Sequence, residues 1–222
     1  MAYRPDLKKI EASYNDVLKN WEDIDAELDR RTIGKKDTPF DSLLMENMLT
    51  AWDFIDYVIR KKDIDLISVR GWPDMIEVNN RVHYGEDQAL RQEYKKAIKA
   101  TTDKFTSLIG PIEKYYRKNI GDHGSTYKVA AEVFISILGM PQLFVEGNHR
   151  SGSVIASWIN LAHRKPPFIL TVDNAVAFFQ PAQEIKKFNK RSVWRSMTKL
   201  PKYKKDFKTF WKHHCDMEFV KK

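Results

Sequence analysis

A single cysteine, Cys215, stands in the chain, so no internal disulfide can form and a reducing, cytoplasmic setting is expected. No stretch approaches the roughly 18 consecutive apolar residues of a membrane-spanning helix. The first nine residues also lack the apolar run of a secretory leader, so neither a leader nor a span is expected. Internal repeats, low-complexity tracts and a Ser-His-Asp arrangement are missing too, which argues against solenoids and serine-hydrolase chemistry. His213, His214, Cys215 and Asp216 are adjacent in sequence, and adjacent residues of a helix point apart, so they match no closed zinc site. What remains is a chain of 222 residues with 42% hydrophobic content, enough for a proper core.

The formal net charge of +8 belongs to one end. Residues 184–222 hold 13 Lys or Arg against 4 Asp or Glu, leaving 25 against 26 in the rest. Phe207, Phe210, Trp211 and His214 recur there at helical spacing, with Lys204, Lys205, Lys208 and Lys212 around them. That pattern predicts a helix with one packed face and a lysine face in water. Basic residues interleaved with aromatics also suit nucleic acid or an anionic surface, so residues 184–222 are the candidate contact for such a partner.

Residues 142–153 read Gln-Leu-Phe-Val-Glu-Gly-Asn-His-Arg-Ser-Gly-Ser and lie between two helical patterns. Gly147 lets backbone approach a ligand, Asn148 offers an amide or accepts a positive φ, and Arg150 presents a planar fork suited to phosphate. Glu146 can hold a magnesium ion beside phosphates. Downstream, Val154, Ile155, Trp158, Ile159 and Ala162 keep helical spacing, which sets the loop at a helix N-terminus where free N–H groups and the dipole favour an anion. A capped surface loop is the alternative reading of the same residue types.

This stretch resembles the signature of the Fic family of the Fido fold, H-x-F-x-D/E-G-N-G/K-R-x-x-R, whose members typically transfer AMP from ATP to a protein hydroxyl. Phe144, Glu146, Gly147, Asn148 and Arg150 match it. Gln142 stands where the family has its catalytic histidine, His149 where it has glycine or lysine, and Ser153 where it has a second arginine. A primary amide has no accessible protonation equilibrium for taking the hydroxyl proton. The resemblance implies phosphate binding by Gly147, Asn148, Arg150, Ser151, Gly152 and Ser153, a metal at Glu146, and Gln142, with His149 as possible substitute, at the catalytic positions. It further implies Mg2+, ATP as substrate or ligand, and a protein target lying on a small β-hairpin flap, for which residues 104–112 are the candidate. Ser42, Glu46 and Asn47 fit S/T-x-x-x-E-G/N, the mark of an inhibitory helix in many Fic proteins, although Ser153 cannot pair with Glu46.

Taken in order, residues 7–30 show one amphipathic stripe and residues 41–61 a second helix capped by Asp41 or Ser42. Residues 64–76 read as a loop, and residues 73–83 begin another helix, where a lone His83 is given no role. Residues 87–116 hold one or two helices interrupted near Gly110-Pro111, and residues 127–138 form the apolar helix before the signature. Lys165-Pro166-Pro167 stops the helix after it, residues 168–172 are extended, and Asp173 or Asn174 caps the next helix. The expected fold is mainly α, Fido-like, with a β-hairpin flap. Three units are expected: residues 1–39 as helix and connector, 40–180 as core with candidate inhibitory helix 41–61, and 181–222 as basic extension. Transfer of AMP or a related group is the expected function; a catalytically inactive nucleotide- or phosphate-binding protein and nucleic-acid binding through the tail are the alternatives.

Overall fold

Apolar residues at intervals of three and four give ten α-helices among the described residues of this computed structural model, which are 2–31, 40–61, 64–121, 125–186 and 200–221. They are α1 (Leu7–Lys19), α2 (Trp21–Arg30), α3 (Ser42–Lys61), α4 (Trp72–Tyr84), α5 (Gln88–Glu93), α6 (Lys95–Asn119), α7 (Thr126–Leu138), α8 (Asn148–Ala162), α9 (Val172–Lys186) and α10 (Leu200–His214). Extended structure among the described residues is limited to two isolated antiparallel bridges, Pro5 with Val220 and Phe168 with Cys215.

The centre is the pair α7 and α8, each buried on nearly every side. Gly152 permits their close approach: a Cβ there would lie 3.2 Å from Phe134 Cδ2 and 3.4 Å from Ile137 Cγ2. Around the pair stand α3 with α4, α6, α9 and α10. One hydrophobic cluster runs from Ile10 to Val220, so the N-terminal helices and the basic C-terminal helix share a core with the signature. In α10, Phe207 and Trp211 are fully buried, and Phe207 stacks on Phe134 with ring centroids 4.5 Å apart, while Lys202, Lys205 and Lys212 stay exposed. The chain ends are tied together: Asp6 N–H donates to Phe219 O at 2.8 Å and Lys221 N–H to Arg4 O at 2.8 Å.

Several expected boundaries move. The stripe of residues 7–30 divides into α1 and α2 at Asn20, whose Nδ2 donates to Asp16 O at 2.8 Å. Residues 104–112 are not a hairpin; they lie inside α6, which continues through Gly110-Pro111. The reason is that Phe105, Ile109, Ile112 and Tyr116 keep one buried stripe across the break while Gly110 and Pro111 face solvent. Asp41 does cap α3, accepting from Leu44 N–H at 2.7 Å. α9 is capped by Thr171 instead of Asp173 or Asn174: Thr171 Oγ1 accepts from Asn174 N–H at 3.2 Å, and Asn174 Oδ1 accepts from Thr171 N–H at 2.9 Å. The connector at 34–39 lies outside the described residues.

Candidate functional site

The loop between α7 and α8 is shaped by three side chains behind it. Lys104 Nζ donates to Phe144 O at 2.7 Å, Asn79 Nδ2 donates to Glu146 O at 3.0 Å and to Ser151 Oγ at 2.9 Å, and Asn148 Nδ2 donates to Phe144 O at 3.0 Å. Asn148 Oδ1 in turn accepts from Phe144 N–H at 2.9 Å, so this amide closes the loop on itself. Gly147 then turns the chain into α8 at φ +71°, a left-handed conformation that glycine adopts without strain. A Cβ at that position would lie 2.3 Å from His83 Nε2 and 3.1 Å from Asn79 Nδ2, so the loop also needs glycine for space.

The consequence is electrostatic. The carbonyls of Phe144 and Glu146 are held by donors, and Gly147 O accepts the first helical bond, from Ser151 N–H at 2.9 Å. The N–H groups of Asn148, His149 and Arg150 therefore precede the α8 hydrogen-bond ladder, at the positive end of the helix. Arg150 adds a cation whose Nη1 donates to Val82 O at 3.0 Å. Burial pulls the Arg150 pKa below its ordinary value, and the carboxylates of Glu146 and Asp41 oppose that. Burial also lowers the pKa of His83, and the Arg150 charge acts in the same direction, while Glu146 opposes both. Lys104 is likewise lowered by burial.

This loop forms one end of a cavity of about 450 Å³. Gln142, Glu146, Gly147, Asn148, His149, Arg150 and Ser153 line that end. Tyr14 of α1, Trp21 of α2, Phe40, and Leu44 and Met48 of α3 form a second wall, and Phe168, Leu170, Phe178 and Phe179 a third, with Gln183 and Lys186 of α9 beside them. The volume falls within the usual range for small-molecule sites, and the mixture of an apolar lining with a few convergent polar groups is also usual.

Not every expected site residue arrives there. Ser151 is fully buried as the acceptor from Asn79, and Gly152 is spent on the contact with α7, so neither touches the cavity. Ser153 does line it, with its hydroxyl donating to Arg150 O at 2.8 Å. Ser42 and Glu46 are exposed and outside the lining, because α3 turns Leu44 and Met48 inward and residues two positions away project elsewhere. Asn47 is buried, but its Nδ2 donates to His83 O at 3.0 Å, which places it at the end of α4 and not at a ligand. Gln142 Oε1 accepts from Asn148 Nδ2 at 3.4 Å.

Asn79, Lys104 and the aromatic wall were not legible as site residues. Trp21 and Phe179 occupy ordinary core positions of amphipathic helices, and periodicity reports burial without saying which cavity a side chain borders. Among the described residues no cluster of three or more His, Cys, Asp or Glu is placed to hold a metal. Glu146, exposed at the cavity, is a single carboxylate of the kind that joins a magnesium ion already carried by phosphates. Compared with protein-family models, curated proteins and solved structures, the chain matches none.

Proposed function

We propose that the chain is a Fic-like protein that binds a nucleotide in this cavity and transfers its AMP moiety to a protein hydroxyl, with the phosphates at the N-terminus of α8. The observation that carries the reading is the left-handed Gly147 opening α8 within a cavity that Arg150 also lines. Glu146, Gly147, Asn148 and Arg150, four of the residues that match the Fic signature, meet at one end of it, and an anion there gains the N-terminal end of the helix dipole and a guanidinium.

In this reading Arg150 and the backbone of residues 147–150 hold and orient the phosphates, and Glu146 is the protein ligand to magnesium, which when bound neutralises phosphate charge. The target hydroxyl oxygen bonds to the α-phosphorus, the bond from that phosphorus to the bridging oxygen breaks, and pyrophosphate leaves. Gln142 sits at the position that faces the hydroxyl and orients it without taking its proton, which passes to solvent. Absence of a general base costs typically 10²- to 10⁴-fold, so transfer is slow and rests on positioning. A binding protein without transfer is the second reading, favoured by the Gln142 amide being engaged by Asn148.

The experiment is label transfer from α-phosphate-labelled ATP with magnesium, to the protein itself and to a cell lysate. Wild type is compared with Glu146→Ala and Gln142→His. Label in wild type that disappears in Glu146→Ala and rises in Gln142→His supports the transferase. ATP binding with no label in any variant selects the binding protein.

A further inference from the structure

The half of the cavity away from Gly147 is built by elements far from the signature. Trp21 lies against Phe40, with ring centroids 5.7 Å apart and planes at 34°, and meets Phe179 edge-on at 6.0 Å. All three border the cavity, so α2, the segment that leads into α3, and α9 together present a wall of aromatic rings. On α9, Phe179, Gln183 and Lys186 follow at intervals of four and three, which puts a ring, an amide and an ammonium on one helix face, and all three border the same space. The charges among the lining residues are Arg150 and Lys186 against Glu146.

We infer that the ligand is a nucleoside polyphosphate whose base lies on the Trp21, Phe40 and Phe179 wall, with Gln183 meeting the base edge; this rests on the nucleotide reading above and names the half of the site that the signature does not. A flat heteroaromatic ring uses every feature of this wall: its faces stack on aromatic side chains, and its polar edge takes the donor and acceptor of a carboxamide. An alkyl chain would offer the half-buried Gln183 amide no hydrogen bond. The N-terminal helices thereby become part of the ligand site, with Trp21 and Phe179 as affinity residues and Gln183 as the residue that discriminates between bases.

Calorimetric titration with ATP and with inorganic tripolyphosphate, each with magnesium, separates the two ends of the cavity. Wild type is expected to bind ATP at least roughly tenfold more tightly than tripolyphosphate, the worth of a stacked base. Trp21→Ala and Phe179→Ala bring ATP down to the tripolyphosphate level while tripolyphosphate itself changes less than about twofold, and Gln183→Leu changes the order of ATP, GTP, CTP and UTP. Phe179 is half-buried, so its variant keeps the test sound if removal of the buried Trp21 ring unfolds the chain. Equal affinity for ATP and tripolyphosphate in wild type, or a Phe179→Ala variant that still prefers ATP as wild type does, overturns the inference and leaves the phosphate end standing. Failure of wild type to bind either ligand removes both.

Discussion

Replacing Gly147 by alanine tests the loop geometry where it is tightest. Two independent costs arise. A non-glycine residue held in the left-handed region loses about 1–2 kcal/mol. The new methyl would also stand 2.3 Å from His83 Nε2, a ring atom buried behind the loop, so the ring would have to shift. Overpacking of that kind costs about 1–3 kcal/mol, so the total is about 2–5 kcal/mol. Urea unfolding followed by far-ultraviolet circular dichroism measures the loss, and ATP titration of the folded variant measures the damage to the loop. Because the costs have separate origins, Gly147→Ala combined with His83→Ala should recover the clash and keep the strain, giving a coupling of about 1–3 kcal/mol between the two sites. A Gly147→Ala variant as stable as wild type, or two substitutions whose effects simply add, would refute the reasoning.

Other consequences follow from individual contacts. Asn79→Ala leaves Glu146 O and Ser151 Oγ without their donor and should cost about 1–3 kcal/mol in urea unfolding while weakening ATP, since the loop carbonyl is freed to turn toward the ligand; unchanged stability and affinity would remove Asn79 from the account. Burial alone would raise the pKa of Asp56, but Arg4 at 2.8 Å and Arg60 at 2.9 Å outweigh it and hold the carboxyl below its ordinary range. Its contribution is therefore complete above the unfolded value of about 4 and drains away as pH falls through the lower folded value. Asp56→Asn should lose about 1–2 kcal/mol at neutral pH, modest because Arg4 is partly in solvent, and the difference from wild type should shrink as pH falls below the unfolded value. A difference that does not shrink on acidification would mean that Asp56 acts through packing and not through charge.

Much of the helical framework was legible because burial and periodicity coincide. The stripe through Ile10, Tyr14, Val17, Trp21, Ile24 and Leu28 stays in phase across Asn20, so one helix and two packed helices look alike in sequence. At Gly110-Pro111 a local breaker signal competed with a stripe that continues from Phe105 to Tyr116, and the stripe prevailed because both breakers sit on the solvent side. The loop of the candidate site was legible from Glu146, Gly147, Asn148 and Arg150. Its support was not, since Asn79 and Lys104 are 67 and 40 residues away from the carbonyls they hold. The motif around Glu46 shows the reverse case: the spacing matches, while Glu46 itself is exposed and outside the cavity lining.

The central claim is that phosphates bind where Gly147 opens α8 beside Arg150, and magnesium-ATP titration of wild type against Arg150→Met tests it most directly. Loss of a charge-assisted bond to phosphate should weaken binding about tenfold or more, with unfolding curves showing that the variant remains folded. Equal affinity in the two proteins, or no binding by wild type, would contradict the account.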